Sequence, residues 1–213
     1  MEKFKKEIPF LAIALIPFAY LIYIWNRLPE KVPMHWNGAG EIDRYGDKKE
    51  LLVMLFMLVG ITYFVFLIIP SIDPKQKLQN MGNKLNNLRM ILTLFMSGLA
   101  VFILYSVQQK SSNPGFVFAI IGLLFAFLGN YFKTIKPNYF IGIRTPWTLE
   151  NEEVWKKTHV LGGKLWFIGG FIMALTIFLP KEMQLYTFLG ITAVITIIPV
   201  VYSYLEFKKI KNQ

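Results

Sequence analysis

The sequence predicts an all-α integral membrane protein that crosses the bilayer six times. Of its 213 residues, 54% are hydrophobic and only 17% are charged, whereas about a quarter of a soluble domain is charged. The hydrophobic residues fall into six runs of roughly 16 to 21 residues, close to the length that crosses about 30 Å of hydrocarbon as a helix. Helices satisfy their own backbone hydrogen bonds in lipid, and the sequence lacks the short alternating segments of a transmembrane barrel.

Each predicted span is an apolar run between polar segments. The six are Ile8–Trp25, Leu51–Pro70, Met90–Val107, Phe116–Phe132, Lys164–Pro180 and Leu185–Leu205. Lysines precede the first run, but no small-residue cleavage site follows it, so we expect a retained helix and not a signal peptide. We expect two halves of three spans each: residues 1–107, with an extracellular loop at 26–50, and residues 108–213, with a cytoplasmic motif at 133–164.

The distribution of basic residues predicts the orientation. With six spans both termini lie on one side, and the segments of that side carry 16 of the 23 lysines and arginines, against 7 on the other. The positive-inside rule therefore places both termini in the cytoplasm of a multi-pass plasma-membrane protein.

Small residues predict where two of the helices meet. In the fourth span they recur at Ala119, Gly122, Ala126 and Gly129, a spacing that forms one stripe on a helix. Such stripes allow close helix packing in membranes. Gly170 and Ala174 predict a similar contact on the fifth span.

The first outer loop, NRLPEKVPMHWNGAGEIDRYGDKKE, is predicted to form a small hairpin. Val32, Met34 and Trp36 alternate with other residues as in a strand, and Asn37-Gly38 is a hairpin-turn signal. Trp36 and Tyr45 would lie at headgroup depth, where amphipathic rings are favoured. Two interpretations remain open: the aromatic residues only anchor the loop, or the hairpin forms a recognition surface.

The inner segment Asn138–His159 reads NYFIGIRTPWTLENEEVWKKTH, and it is richer in special residues than a simple connector needs. Pro146 can open a helix. We expect an amphipathic surface helix over about Leu149–Leu161, followed by a turn at Gly162-Gly163 into the fifth span.

Arg144 follows a mainly apolar stretch and has two interpretations. It can extend toward a lipid phosphate. Alternatively, it is a buried structural or binding arginine, satisfied by loop carbonyls or by a carboxylate such as Glu153. A lysine would serve the first role but not a forked hydrogen-bond site.

The predicted spans carry no Asp, Glu, Arg or His within their apolar limits, and Lys164 lies at a boundary. Ion-coupled transporters usually need such groups, and membrane hydrolases need a nucleophile with a base or metal ligands. The chain has no cysteine, and its two histidines, His35 and His159, fall on opposite predicted faces. The sequence therefore favours a binding protein over an enzyme, with no cofactor and no metal.

Two stretches carry a resemblance to a known family. The inner segment IGIRTPWTLENEEVW resembles the Gly, Arg-Thr-Pro-Trp-Thr and later Trp of the SdpI-type immunity proteins of Gram-positive bacteria. The outer stretch LPEKVPMHWNGAGEIDRYGDKKE is similar to the domain of unknown function that begins many members. The two loops that hold these stretches, residues 26–50 and 138–159, together cover about fifty residues.

The resemblance implies a protein that shields its cell from a secreted, membrane-active peptide toxin. In the family's prototype the toxin-bound form also holds a transcriptional repressor at the membrane. The implied extracellular toxin-binding residues are Pro33, His35, Trp36, Gly38 and Asp43, to which we add Tyr45. The implied cytoplasmic partner or structural motif is Asn138, Gly142, Arg144, Thr145, Pro146, Trp147, Thr148 and Trp155, together with His159.

We therefore expect a toxin-binding immunity and sensor protein whose other partners are membrane lipids and not nucleic acid. The alternative is a small transporter or exporter of the toxin or a lipid, although the missing intramembrane charges weigh against it. A third possibility is a lipid-modifying enzyme that uses Asp43, His35 or Glu153. From the sequence, no acid–base pair can be placed within reach of one another.

Overall fold

A computed structural model describes residues 2–73, 78, 81–109 and 114–212 of the chain. In this part the chain forms helices and one two-stranded sheet. In chain order the elements are α1 (Glu2–Ile24), β1 (Lys31–Trp36), β2 (Ile42–Asp47), α2 (Glu50–Leu55), α3 (Ile61–Ile72), α4 (Asn83–Gln109), α5 (Pro114–Phe132), α6 (Pro146–Glu150), α7 (Glu152–Leu175) and α8 (Lys181–Lys211). The π-helical segment Phe56–Gly60 joins α2 to α3.

Six helical segments are long and apolar enough to cross a membrane, which confirms the predicted number of spans. They are Lys5–Arg27, Glu50–Ile72, Asn83–Gln109, Gly115–Phe132, Glu152–Phe178 and Lys181–Lys211. Each overlaps its predicted apolar run, and the longer ones include flanking charged residues. Most of their apolar surface is not covered by the protein itself, which is the expected state of helices that face lipid.

The backbone contacts divide the chain into two compact units. The first is Met1–Ser71 with Asn86–Pro114, and the second is Ile72–Leu85 with Gly115–Gln213.

The core of the first unit joins the hairpin to three of its helices. Val32 on β1 is fully buried, and Met34 and Trp36 pack against the same core, as their two-residue spacing predicted. The helices contribute Leu21 and Ile24 from α1, Leu51 and Leu55 from α2, and Ala100 and Leu104 from α4. One face of the hairpin is therefore fixed by hydrophobic burial.

The predicted hairpin is present, with β1 and β2 antiparallel. Lys31 pairs with Asp47 at the open end, and Trp36 pairs with Ile42 next to the turn. The Asn37 side-chain oxygen accepts the N–H groups of Ala39 and Glu41, each at 3.0 Å. The left-handed position, with a φ of 80°, falls at Gly40 and not at Gly38. Gly40 is therefore the turn residue that needs a glycine.

A buried ion pair connects three helices of the first unit. The Arg89 guanidinium on α4 donates to both carboxylate oxygens of Glu7 on α1, at 2.8 and 2.5 Å. The Tyr63 hydroxyl on α3 donates to the same carboxylate at 3.1 Å. The Arg89 guanidinium carbon also lies 4.1 Å from the centre of the Phe10 ring. Both residues lie outside the predicted apolar runs, and their separation of 82 residues means that no local sequence pattern indicates the pair.

We expect Arg89→Met to lower the free energy of unfolding by about 2 kcal/mol or more, because it leaves the Glu7 carboxylate without its partner. Glu7→Gln/Arg89→Met should recover part of this loss, since it removes the unpaired charge. Thermal unfolding of the detergent-solubilised protein measures both variants. Lys5→Gln, an exposed change on the same helix, is the control. Additive effects of the two substitutions would show that the pair does not couple α1 to α4.

In the second unit, α5 and α7 approach until their backbones touch, as the small-residue stripe predicted. A Cβ built on Gly122 would lie 2.6 Å from the carbonyl oxygen of Gly170. A Cβ on Gly129 would lie 2.4 Å from the backbone nitrogen of Phe167 and 2.7 Å from the carbonyl oxygen of Gly163. This contact exists only because side chains are absent at these positions.

The predicted turn at Gly162-Gly163 is wrong, and residues 152–161 of the predicted surface helix form the first part of α7. The short helix α6 ends at Glu150, Asn151 caps the next helix, and α7 then runs through both glycines to Leu175. Each glycine costs a helix only about 1 kcal/mol relative to alanine. Continuous backbone hydrogen bonding and close packing outweigh this cost, since a Cβ on Gly162 would meet Ile143 and one on Gly163 would meet Gly129.

Gly129→Ala should destabilise the protein by about 1 to 3 kcal/mol, because its methyl group has to displace the backbone of α7. Gly190→Ala is the matched control, since nothing lies within 4 Å of a Cβ at that position. It should be neutral or slightly stabilising. Thermal unfolding of both variants under the same conditions compares them, and equal stability would contradict the close approach of α5 and α7.

Candidate functional site

The inner motif begins at Asn138, whose side chain organises the loop after α5. Its oxygen accepts the N–H groups of Phe140 and Ile141 at 2.8 and 2.7 Å. Its amide nitrogen donates to the carbonyl oxygens of Lys136 and Ile141 at 2.9 and 3.1 Å. The hydrogen-bonding capacity of the amide is therefore fully used within the loop.

His159 on α7 holds the middle of the same loop. Its Nε2 accepts the N–H of Ile143 at 3.0 Å, and its Nδ1 lies 2.8 Å from the Trp155 carbonyl oxygen. Since Nε2 accepts, the proton belongs on Nδ1, and this arrangement requires the neutral imidazole. Gly142 has a φ of 108°, and a Cβ there would lie 2.3 Å from the His159 Nε2. Only glycine fits between loop and ring.

Trp155 completes this buried cluster. Its ring stacks on His159 with centroids 4.1 Å apart, and its indole N–H donates to the Ile135 carbonyl oxygen at 2.9 Å. Phe132, at the end of α5, makes an edge contact with the His159 ring, with centroids 5.8 Å apart. Trp155 and His159 therefore fasten α7 to the segment that follows α5.

The Thr-Pro-Trp-Thr portion forms a capping box that starts α6. Thr145 is the N-cap, its hydroxyl accepts the N–H of Thr148, and the Thr148 hydroxyl accepts the N–H of Thr145. Pro146 occupies the first helical turn, where its missing N–H costs nothing. The Trp147 indole N–H and the Thr145 hydroxyl both contact the Ser203 hydroxyl on α8. The motif thereby binds α6 to α8.

Arg144 combines features of both interpretations. Its side chain is exposed, as the lipid-facing interpretation expected, yet its Nη1 donates to the Tyr139 carbonyl oxygen within the loop. The suggested carboxylate Glu153 instead lies 2.9 Å from Lys157. Arg144 is thus an exposed cation on a loop that is otherwise internally bonded.

The structure gives most of the inner residues partners within the protein. Five of them are buried: Asn138, Thr145, Thr148, Trp155 and His159. Their side chains form hydrogen bonds that hold the loop, α6 and α7 together. A direct contact of these side chains with another protein stays a prediction.

In the hairpin, the structure brings His35 and Asp43 together. The His35 Nδ1 lies 2.6 Å from an Asp43 carboxylate oxygen, and both side chains are largely exposed, at 64% and 43%. The expectation that no acid–base pair could form was wrong, because strand pairing places these residues side by side. Within the described part of the chain, no hydroxyl group hydrogen-bonds to His35.

The other predicted hairpin residues divide between interior and surface. Pro33 is buried and pairs across the sheet with Tyr45, which is 58% exposed. Trp36 packs on the core, and its indole nitrogen is buried without a hydrogen-bond partner among the described residues. Gly38 lies in the turn. The exposed part of the predicted surface therefore consists of His35, Asp43 and Tyr45.

Sequence reasoning missed several residues that hold these elements in place. Glu206 on α8 is buried between Lys157 and Lys209, at 3.0 and 2.8 Å. Its three-residue spacing from Lys209 was a signal that could have been used. Asn151 caps α7 by accepting the N–H groups of Glu153 and Val154. The contacts of Ser203 and Arg89 come from distant parts of the chain and had no local signal.

These features define a multi-pass helical membrane protein with a small hairpin and a tightly bonded loop before its fifth span. Residues 134–203 match the SdpI/YfhL protein family, and residues 12–59 match a domain of unknown function, DUF1648. The matches confirm the predicted resemblance to the SdpI family. The first match includes the whole inner motif, and the second includes the hairpin.

Two relatives show how far the similarity extends. The chain is 27% identical to the immunity protein SdpI of Bacillus subtilis (strain 168) over 208 residues, which cover 98% of this chain and 99% of that protein. It is also 43% identical to an uncharacterized protein of Archaeoglobus fulgidus over 44 residues. These residues cover 21% of this chain and 24% of that protein. No solved structure matches.

His159→Ala should lower the free energy of unfolding by about 2 to 3 kcal/mol, because it leaves the Ile143 N–H without an acceptor and opens a space beside Trp155. His35→Ala, the same change at an exposed position, should cost less than about 1 kcal/mol. Thermal unfolding of the two variants makes the comparison, and near-identical stabilities would contradict the structural role of His159.

Proposed function

We propose that this chain is a membrane immunity protein that binds a secreted, membrane-active peptide toxin and shields its own cell. The observation that carries the proposal is the similarity to the immunity protein SdpI along almost the whole of both chains. The two motifs lie in the matched regions, and the six apolar helices put the chain where a membrane-active peptide acts. We propose binding, not turnover, as the means of protection.

The hairpin is the proposed contact for the toxin. Its inner face is fixed to the core through Val32, Met34 and Trp36, so its outer face is held in one conformation. A preorganised surface loses little entropy on binding. That face offers an aromatic ring at Tyr45 beside the charged and hydrogen-bonding groups of His35 and Asp43. These groups suit a peptide that carries both apolar and polar side chains.

The second part of the proposal is that the side bearing the inner motif captures a transcriptional repressor once toxin has bound. Because α7 continues without a turn from the buried Trp155 to Leu175, a displacement of this helix would move Trp155 and the loop bonded to it. The exposed Arg144 lies on that loop and supplies a forked cation for a partner.

The protein in sensitive cells should raise the concentration of toxin peptide that the cells tolerate. Tyr45→Ala and Asp43→Asn should each reduce that concentration about tenfold at unchanged protein level, which corresponds to the loss of one important contact. Lys31→Ala, an exposed change at the open end of the hairpin, is the control. Full protection by a Tyr45→Ala/Asp43→Asn double variant would exclude the hairpin as the toxin surface, and no protection by the wild type would refute the proposed function.

In the same cells, toxin-dependent recruitment of the repressor to the membrane separates the two activities. Arg144→Ala should abolish recruitment and leave protection intact. If Arg144→Ala lost both activities at normal protein level, separate roles for the two sides would be rejected.

A further inference from the structure

In the second unit, three cavities meet on the surface of α7 around a single residue. Their volumes are about 370, 260 and 450 Å³, and Val160 lines all three. Lys133 is shared by the first and second cavities, Lys156 by the first and third, and Lys164 by the second and third. The three cavities are therefore adjacent, and we call the surface that they line together the α7 groove.

The first cavity is the polar end of the α7 groove and is strongly basic. Four exposed lysines line it, Lys84, Lys133, Lys136 and Lys156, against one carboxylate, Glu152. Among the described residues, none of these four lysines forms an ion pair. Trp155 and His159 form part of its wall, and their hydrogen bonds make that wall rigid. Several unpaired cations around a concave surface attract a multiply charged or phosphate-bearing anion.

The second cavity is the apolar end of the α7 groove. Gly129 and Gly163, where α5 and α7 touch, lie in it together with Val160 and Phe167. Phe167 is 43% exposed, and below it Ile168 and Phe171 continue the exposed apolar face of a predicted membrane span. From Lys156 to Phe167 the helix rises roughly 16 Å. That distance is comparable to the passage from headgroup to acyl chains at the bilayer edge.

We propose that the α7 groove binds one anionic phospholipid, with its phosphate among the four lysines and an acyl chain along Val160 and Phe167. A free phosphate would use the basic end only and would leave the apolar end without a role. A water-soluble acidic peptide could not reach the part that opens onto the lipid-facing surface of α7. An anionic amphiphile matches both ends, and basic pockets beside membrane helices are a known means of binding such headgroups.

Lipid titration of the purified full-length protein, followed by native mass spectrometry, tests this assignment. The probes are phosphatidylglycerol and phosphatidylcholine with the same acyl chains, and glycerol phosphate as the soluble headgroup. Phosphatidylglycerol should bind at least about tenfold more tightly than the other two. K84Q/K133Q/K136Q/K156Q should weaken its binding by about tenfold or more, since each lysine near a phosphate contributes measurably.

The control is K31Q/K49Q/K181Q/K211Q, which removes the same charge from exposed lysines outside the α7 groove. It should change phosphatidylglycerol binding less than about twofold, within the scatter expected for remote surface changes. Equal weakening in both quadruple variants would overturn the site, because total charge alone would then explain binding.

Equal affinity for glycerol phosphate would overturn the lipid assignment in favour of a phosphate site. Displacement of the lipid by a soluble polyglutamate peptide would assign the groove to an acidic protein segment instead. None of these measurements involves a toxin, so their failure leaves the proposed immunity function standing.

Discussion

A polar group that is buried away from water must find its hydrogen bond within the protein, because an unsatisfied buried group costs free energy. The segment from Asn138 to His159 is built around this requirement. The side chain of Asn138 hydrogen-bonds to the backbone of a loop that has no regular secondary structure. His159 accepts the N–H of Ile143, which lies outside any strand or helix. The capping box of Thr145 and Thr148 does the same at the start of α6. The ion pair of Glu7 and Arg89 meets the same demand in the first unit.

The second constraint is the distance between helices. The hydrophobic effect does not hold apolar helices together within lipid, so close contact of their surfaces is needed. Glycines at 122, 129, 163 and 170 let α5 and α7 touch along their backbones. This contact also fixes where Trp155 and His159 lie, because both residues belong to α7 and bond to the chain that leaves α5. Helix packing and loop geometry therefore depend on each other.

Two of the surfaces in the described part of the chain carry groups that these internal bonds do not use. The outer face of the hairpin carries Tyr45 and the pair of His35 and Asp43, and it is held rigid by the core behind it. The α7 groove carries unpaired lysines beside an apolar cleft. We propose the first for recognition of a peptide and the second for an anionic lipid. The tryptophans of both motifs, by contrast, mainly support these surfaces, since Trp36 and Trp155 pack inward.

The sequence by itself determined the six spans, the hairpin, the helix-packing stripe and the resemblance to the SdpI family. These features are local or periodic: a run of apolar residues, an alternation around Val32, or a glycine every three or four positions can be recognised without knowledge of distant partners. Only the tertiary structure decided that α7 runs unbroken through Gly162 and Gly163, that Glu7 pairs with Arg89, and that Asn138 and His159 bond to the loop itself. In each case the deciding energy comes from groups that are brought together by folding. A glycine pair locally disfavours a helix, and only the neighbours that occupy the space of the missing side chains select the helix here.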